Sequence, residues 1–489
     1  MGDITSARNL TMMTDLYQLT MMYGYFRYGM TKNEAVFDLF FRNRENSAYA
    51  VMAGTESVID YINNLRFEEE DLAYLRSLNL FDEEFLNELR TLRFTGEIYG
   101  MSEGTVVFPY EPLIRVRAPI MQAQLIETAL LNLVNHQTLI ATKAARVVYA
   151  AAGDDVMEFG LRRAQGPDAG IYGARAAMIG GCSATSNVLT GQMFHVGVKG
   201  THAHSWVMSF PTELDSFRAY AEIFPTSCLL LVDTYDTLRS GVPNAIRVFD
   251  ELKARGYKPV GIRLDSGDLA YLSKKARQML DDAGHTEAKI FASGDLDETV
   301  IRDLKIQGAR IDVWGVGTRL ITSLDCPALG GVYKLSAEII NGVEYPKIKI
   351  SDNIAKITNP GYKKVLRLYD KKNGMALADL VALADETIDE GQPLRIYHPE
   401  QKYRTKLLTN FSVRELLVPL FVEGRQVYTP PEMSEIQAYA KRELATFWEE
   451  SKRLLNPHEY KVDLSDRLYD LKQRLIREHS GKHEALGGK

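Results

Sequence analysis

From residue 153 onward, short apolar runs alternate with longer stretches in which apolar residues return every three or four positions. Each run closes on Gly, Asp or Ser: VMEFG (156–160), SCLLLVDTYDT (227–237), PVGIRLDSGD (259–268), KIFASGD (289–295) and IDVWGVGT (311–318). From the third run on, the starts lie roughly 20 to 30 residues apart, the length of a strand-plus-helix unit. Near-continuous apolar strands such as CLLLV suit a parallel sheet buried on both faces. The rhythm is compatible with a barrel or with a doubly wound sheet. In both, ligands bind beyond the carboxyl ends of the strands, where this chain keeps its Asp, Ser, Gly and His residues.

The flanking patterns differ. Residues 11–30 read as a helix and EAVFDLFFRN (34–43) as a strand, followed by helical patterns over 54–90 whose acidic runs mark a solvated face. Glycine-punctuated runs over 93–119 predict an antiparallel sheet, and Pro119 then opens a long helix that Gly153 ends. From about 346 the basic stretch PKIKISDNIAKITNPGYKKVLRLYDKK alternates like a sheet, with a turn at NPG. Hairpins follow to about 430, then a helix that starts at PPEM and runs to about 480, then a mobile GGK tail. Three regions result: an N-terminal α+β domain (1–150), an α/β catalytic domain (151–345) and a C-terminal segment (346–489). The last extends a sheet onto the first domain and then turns helical.

Composition narrows the function classes. Among 489 residues the charged fraction is 25% and the formal net charge is −6, which disfavours a general binder of nucleic acid or anionic membrane. Cys182, Cys228 and Cys326 form no CxxC and suit a reducing compartment. The N-terminal segment lacks a basic stretch followed by an unbroken apolar core, so it is not expected to be a secretory signal, and the most apolar helical stretch is interrupted by Asn132, Asn135 and His136. A cytoplasmic protein with no membrane span is expected.

Several strand ends carry candidate chemistry. In RLDSGDL, Asp265 can accept hydrogen bonds from sugar hydroxyls or pair with Arg263. Gly294 after Ser293, and Gly315 and Gly317 before Thr318, form two consecutive glycine turns that open helices, a pattern that cradles phosphate. Neither turn is GxGxxG or a P-loop. EFGLRRAQGP offers Phe159, Arg162 and Arg163 to a flat anionic ring, or a core phenylalanine beside solvated arginines. In GTHAHSW, His202 and His204 project to the same side if the stretch is extended, but no third metal ligand is at hand. A neutral imidazole beside a phosphate site is instead a nucleophile toward a phosphoryl group, provided an acceptor holds its second nitrogen. Asp233 and Asp236 are the candidates for that acceptor.

TDLYQLTM, NHQTLIATKAAR, EFGLRR, GTHAHSW, VDTYD, RLDSGD and WGVGT, in this order, resemble the nicotinate phosphoribosyltransferase family over essentially the whole chain. The resemblance implies an irregular α/β barrel of the type II phosphoribosyltransferase kind. It also implies transfer of phosphoribosyl from its pyrophosphate to nicotinate, with ATP hydrolysis coupled through a phosphohistidine, Mg²⁺ as companion ion, and a homodimer with shared sites. On that reading His204 is the phosphohistidine and Asp233 orients it. Asp265 holds the ribose, Arg263 contacts the base, and Phe159 stacks on it with Tyr17 of the partner. Arg162 lies near base or pyrophosphate, while Ser293, Gly294, Gly315, Gly317 and Thr318 bind the 5′-phosphate. Ser183, Thr185 and Ser186 stand where the related nicotinamide enzyme has an aspartate, which favours a carboxylate substrate. Lys349, Lys356, Lys363, Arg367 and FFRNR around Arg42 are candidate ATP or pyrophosphate contacts, and His202 has no assigned role. The competing readings are a nicotinamide enzyme, a flavin or sugar-phosphate barrel, and a non-catalytic nucleotide sensor.

Overall fold

The computed structural model describes residues 9–42, 49–353, 356–401 and 403–486. Met1 and Gly2, Asn43 and Arg44 of FFRNR, and the GGK tail lie outside the described residues. The chain divides into two compact units, residues 1–139 with 328–489, and residues 140–327.

The second unit is built on six parallel strands. In chain order they are Asp155–Glu158, Ala184–Thr185, Leu229–Leu231, Gly261–Leu264, Lys289–Gly294 and Val313–Val316. In the sheet, 184–185 stands at one edge and 229–231 at the other, with 155–158, 313–316, 289–294 and 261–264 between them. Segment 197–202 bridges these two edges. On one side Thr185 N donates to Gly197 O (3.0 Å) and Lys199 N to Thr185 O (2.9 Å). On the other, Thr201 Oγ1 donates to Leu229 O (2.6 Å) and Leu231 N donates to His202 Nε2 (3.3 Å). A side chain thus stands where a strand backbone would, and the result is an irregular α/β barrel. Periodicity finds five of the six strands. Ala184–Thr185 and the bridging segment are too short to show a period.

Helices follow the strands and are capped from within the loops. Asp268 accepts from Tyr271 N ahead of Leu269–Asp282, and Asp297 accepts from Thr299 N and Val300 N ahead of Glu298–Ile306. Such caps satisfy amide groups that the first helical turn leaves without partners.

The first unit carries two larger sheets. One is seven-stranded and antiparallel, with Glu34–Phe41 between Gly331–Ile340 and Ile114–Pro119; seven of its eight residues are buried. The other is six-stranded, with Ala376–Leu383 between Lys363–Asp370 and Val462–Leu464. Three expectations change here. The helix expected from Pro119 is two helices, Ile120–Leu125 and Glu127–Ala151. After Pro346 the basic stretch becomes a strand only at Lys363: the described residues of 347–362 form no strand of their own, and Lys347 N and Gly361 N both donate to the single Ser336 O of strand 331–340. The helix expected to run to about 480 is three, Met433–Ala445, Glu449–Lys452 and Asp466–Leu486, with strand Val462–Leu464 inserted before the last. Asn456, at φ +44°, and Pro457 interrupt a helical period that amphipathic patterning alone would extend. No described helix is long and apolar enough to cross a membrane.

Candidate active site

The site is assembled at the carboxyl ends of the barrel strands. Strand 261–264 delivers Arg263 and Asp265, and strand 289–294 delivers Ser293. Arg263 Nε donates to Ser293 Oγ (2.7 Å), Arg263 Nη2 donates to Asp265 Oδ1 (2.8 Å), and Ser293 Oγ also donates to Asp265 Oδ1. Burial pushes the Asp265 carboxyl up, but these hydrogen bonds and the Arg263 charge outweigh it and hold the carboxyl below its usual range. Asp265 is therefore an anion whose remaining oxygen, Oδ2, faces His204 Nε2 at 3.9 Å.

Phe159 follows strand 155–158. The Arg263 guanidinium lies 5.7 Å from its ring centroid. The ring packs against Gly315, where an added Cβ would sit 2.6 Å from ring carbon Cδ2. At Gly317 a Cβ would lie 3.1 Å from the Phe159 carbonyl oxygen. Gly294 has φ +116°, and a Cβ there would meet the Asp265 carbonyl oxygen at 2.7 Å. Glycine is thus required at Gly294 and Gly315 by backbone conformation and close approach. Thr318 begins the four-residue helix Thr318–Ile321. Arg319 Nη1 meets Asp297 Oδ2 at 2.6 Å and ties this turn to the preceding one.

His204 opens helix His204–Met208 after the extended cap residue Ala203. The two histidines therefore part company. His202 is buried in the barrel wall against Tyr220 (ring centroids 4.7 Å apart), while His204 is 40% exposed at the strand ends. The partner of His204 also differs from expectation. Its Nδ1 lies 3.1 Å from Thr234 Oγ1. Asp233 instead accepts from Asp265 N (2.9 Å) and Ser266 Oγ (2.7 Å), so it fixes the ribose-candidate loop rather than the imidazole. Asp236 accepts from Leu238 N and Arg239 N and caps its own turn. An aspartate one residue from a needed hydroxyl cannot be told from that hydroxyl's role by spacing alone.

Several expected contacts lie elsewhere. Thr185 is fully buried; its hydroxyl donates to Glu158 Oε2 (2.6 Å) and accepts from Asn187 N (3.0 Å), which leaves no donor for a substrate carboxylate. Ser183 stands at the amino end of its strand and donates to Val156 O (3.2 Å). Arg162 and Arg163 are exposed on the turn Leu161–Arg163. Tyr17 belongs to the first unit, in helix Leu16–Arg27; burial and the neighbouring Glu127 push its hydroxyl up to about 12. Lys363 is buried against Asp38 (2.7 Å). Arg367 is buried with Asp379 (2.6 Å) and Glu443 (2.9 Å). Both are core ion pairs rather than phosphate contacts. Lys349 and Lys356 are exposed, and Arg42 Nε is buried with no partner among the described residues.

Two further residues belong to the site and are not singled out by the sequence patterns. Thr234 sits beside His204, and Glu158 lies fully buried beneath Phe159, its carboxyl accepting from Gly160 N and Thr185 Oγ1. Burial pushes the Glu158 carboxyl up. The signal was present, since an acid inside an otherwise apolar run is rarely buried without a partner.

An irregular α/β barrel with a carboxylate, an arginine and glycine turns at its strand ends is the architecture of the type II phosphoribosyltransferases. Residues 12–135 match the nicotinate phosphoribosyltransferase N-terminal domain family, and residues 362–472 match the corresponding C-terminal domain family. The chain is 51% identical to nicotinate phosphoribosyltransferase of Bacillus subtilis over 97% of each protein, and 36% identical to that of Caenorhabditis elegans over 94% of this chain and 92% of the relative. The crystal structure of human nicotinic acid phosphoribosyltransferase superposes with a TM-score of 0.82 at 32% identity, over 95% of this chain and 99% of that one. The chain belongs to the nicotinate phosphoribosyltransferase family.

Proposed function

We propose that the protein joins nicotinate to phosphoribosyl pyrophosphate, releasing nicotinate mononucleotide and pyrophosphate in NAD biosynthesis. ATP cleavage is coupled to this through a phosphohistidine at His204. The observation that carries the reading is the contact chain His204–Asp265–Ser293–Arg263–Phe159 at one end of the barrel. Asp265 holds the ribose hydroxyls, and its negative charge stabilises the positive charge that grows on the ring as pyrophosphate departs. The turns at Gly294 and Gly317 to Thr318 hold the 5′-phosphate through backbone N–H groups. Nicotinate stacks on Phe159. Its carboxylate takes Arg263 donors not used by Ser293 and Asp265, since the Thr185 hydroxyl is already engaged.

His204 performs a separate task. With Nδ1–H donating to Thr234 Oγ1, Nε2 carries the lone pair and faces the site. Nε2 attacks the terminal phosphorus of ATP, an N–P bond forms, and the P–O bond to ADP breaks. Water later cleaves the N–P bond and restores the imidazole. Mg²⁺ would enter as a companion of the polyphosphates of ATP and phosphoribosyl pyrophosphate. A Mg²⁺ ion bound through one carboxylate, substrate phosphates and water is the usual arrangement, and Asp233, whose Oδ1 is buried without a partner, suits it. When bound, the ion neutralises phosphate charge. The working form is a cytoplasmic homodimer in which Tyr17 of one copy completes the site of the other.

The test is pyrophosphate release with nicotinate and with nicotinamide, each with and without ATP. The proposal expects nicotinate to be strongly preferred and ATP to raise the yield of mononucleotide. Equal turnover of nicotinamide, or yields indifferent to ATP, would overturn it.

A further inference from the structure

The six-stranded sheet of the first unit has an apolar cluster on one face that includes Leu380, Ile396 and Leu408. At one end of the strands that face turns polar. Strand alternation places His398 beside Ile396, Lys406 and Arg404 beside Leu408, and Asp463, opposite Leu380, with Lys461 on this same side. These residues and Trp448 line a cavity of about 820 Å³ within the first unit. That size lies in the range of roughly 300–1,000 Å³ typical of small-molecule sites.

Some polar groups inside are matched, since Lys472 Nζ donates to Asn359 Oδ1 (2.9 Å) and Glu400 N to His398 Nδ1 (3.2 Å), and others are not. Lys406 Nζ donates to a backbone oxygen, that of Leu377 (3.1 Å). Neither Arg404, Lys406 nor Lys461 forms an ion pair with a carboxylate among the described residues. Asp463 is 1% exposed, and its Oδ2 is buried with no hydrogen-bond partner among the described residues. Burial pushes its carboxyl up, while Lys461, His398, Arg404 and Lys406, which line the same cavity, pull against that shift. Glu400, Glu450 and Glu459 are exposed lining residues of the same cavity, so it is not a general sink for anions.

Arg404, Lys406 and Lys461, which have no carboxylate partner among the described residues, the buried Asp463 oxygen and the Trp448 side chain make a specific demand on a ligand. It must be anionic at one end, donate a hydrogen bond to Asp463, and present a flat surface to Trp448. We propose that this cavity binds a nucleotide, with phosphate on Arg404, Lys406 and Lys461, a sugar hydroxyl or base amino group donating to Asp463, and the base against Trp448. The cavity belongs to the first unit, and its reading does not rest on the reaction proposed for the barrel.

The test is calorimetric binding of AMP, adenosine and inorganic phosphate to the full-length protein carrying Asp265→Ala, which disables the barrel site. AMP is expected to bind saturably, with adenosine and phosphate each at least about tenfold weaker. Adding Arg404→Ala and Lys461→Ala, both at least partly exposed, is expected to weaken AMP by at least about tenfold without changing Tm. Three outcomes would overturn the proposal: no saturable AMP binding, phosphate binding as tight as AMP, or AMP binding indifferent to the Arg404 and Lys461 changes.

Discussion

His204 and His202 are two residues apart and face opposite physical problems. His204 is partly exposed, held on Nδ1 by a hydroxyl, with Nε2 directed toward an anionic site. Replacing it by asparagine preserves size and polarity but removes the nucleophile. His204→Asn is expected to cut ATP hydrolysis by about a hundredfold or more, while ATP-independent mononucleotide synthesis survives at a reduced level. Phosphate release from ATP and pyrophosphate release from phosphoribosyl pyrophosphate, measured side by side, check this. Full coupled turnover in the variant would remove the histidine from the scheme. The residue types at this site were legible from the sequence because strand-end Asp, Gly and His are unusual in an apolar rhythm. Their pairings were not. Asp233 and Thr234 are adjacent, and only the fold shows that the hydroxyl meets the imidazole while the carboxylate meets the neighbouring loop.

Among the elements, segment 197–202 has an outsized role, because it closes the barrel partly through side chains. The His202 ring accepts from Leu231 N, which requires a neutral Nε2. Burial drops its pKa from 6.5 to about 4. Above 6.5 both folded and unfolded chains carry a neutral His202, and its contribution to stability is complete. As pH falls from 6.5 toward 4, the unfolded chain takes the proton first and that contribution is lost. His202→Gln keeps an acceptor but does not titrate. Between pH 7 and pH 5 it is expected to lose less stability than the wild type, by roughly 1–2 kcal/mol, in urea unfolding at each pH. Parallel pH curves for the two proteins would count against this closure. Neither the closure nor the two-residue strand 184–185 could be read from hydrophobic period, since short segments carry too few positions to establish one.

For the whole molecule, the proposed dimer with shared sites has a direct consequence. Tyr17→Ala and Arg263→Ala homodimers are each expected to be nearly inactive. Mixed and allowed to exchange subunits, they are expected to recover about a quarter of wild-type turnover, because half the dimers are mixed and each holds one intact site. An activity assay before and after exchange decides it, and no recovery would place Tyr17 outside the partner's site. What the sequence determined by itself was local. Five strands, their helices and the kinds of residue at their ends follow from apolar spacing and from the conformations that glycine and proline permit. The tertiary structure decided what those residues touch. It turned Lys363 and Arg367 from surface cations into buried ion pairs, occupied the Thr185 hydroxyl with Glu158, and brought His204, Asp265 and Ser293 together across 90 residues of chain. Hydrophobic period encodes which way a side chain faces, whereas a contact between distant loops depends on how whole elements pack, and no local pattern carries that information.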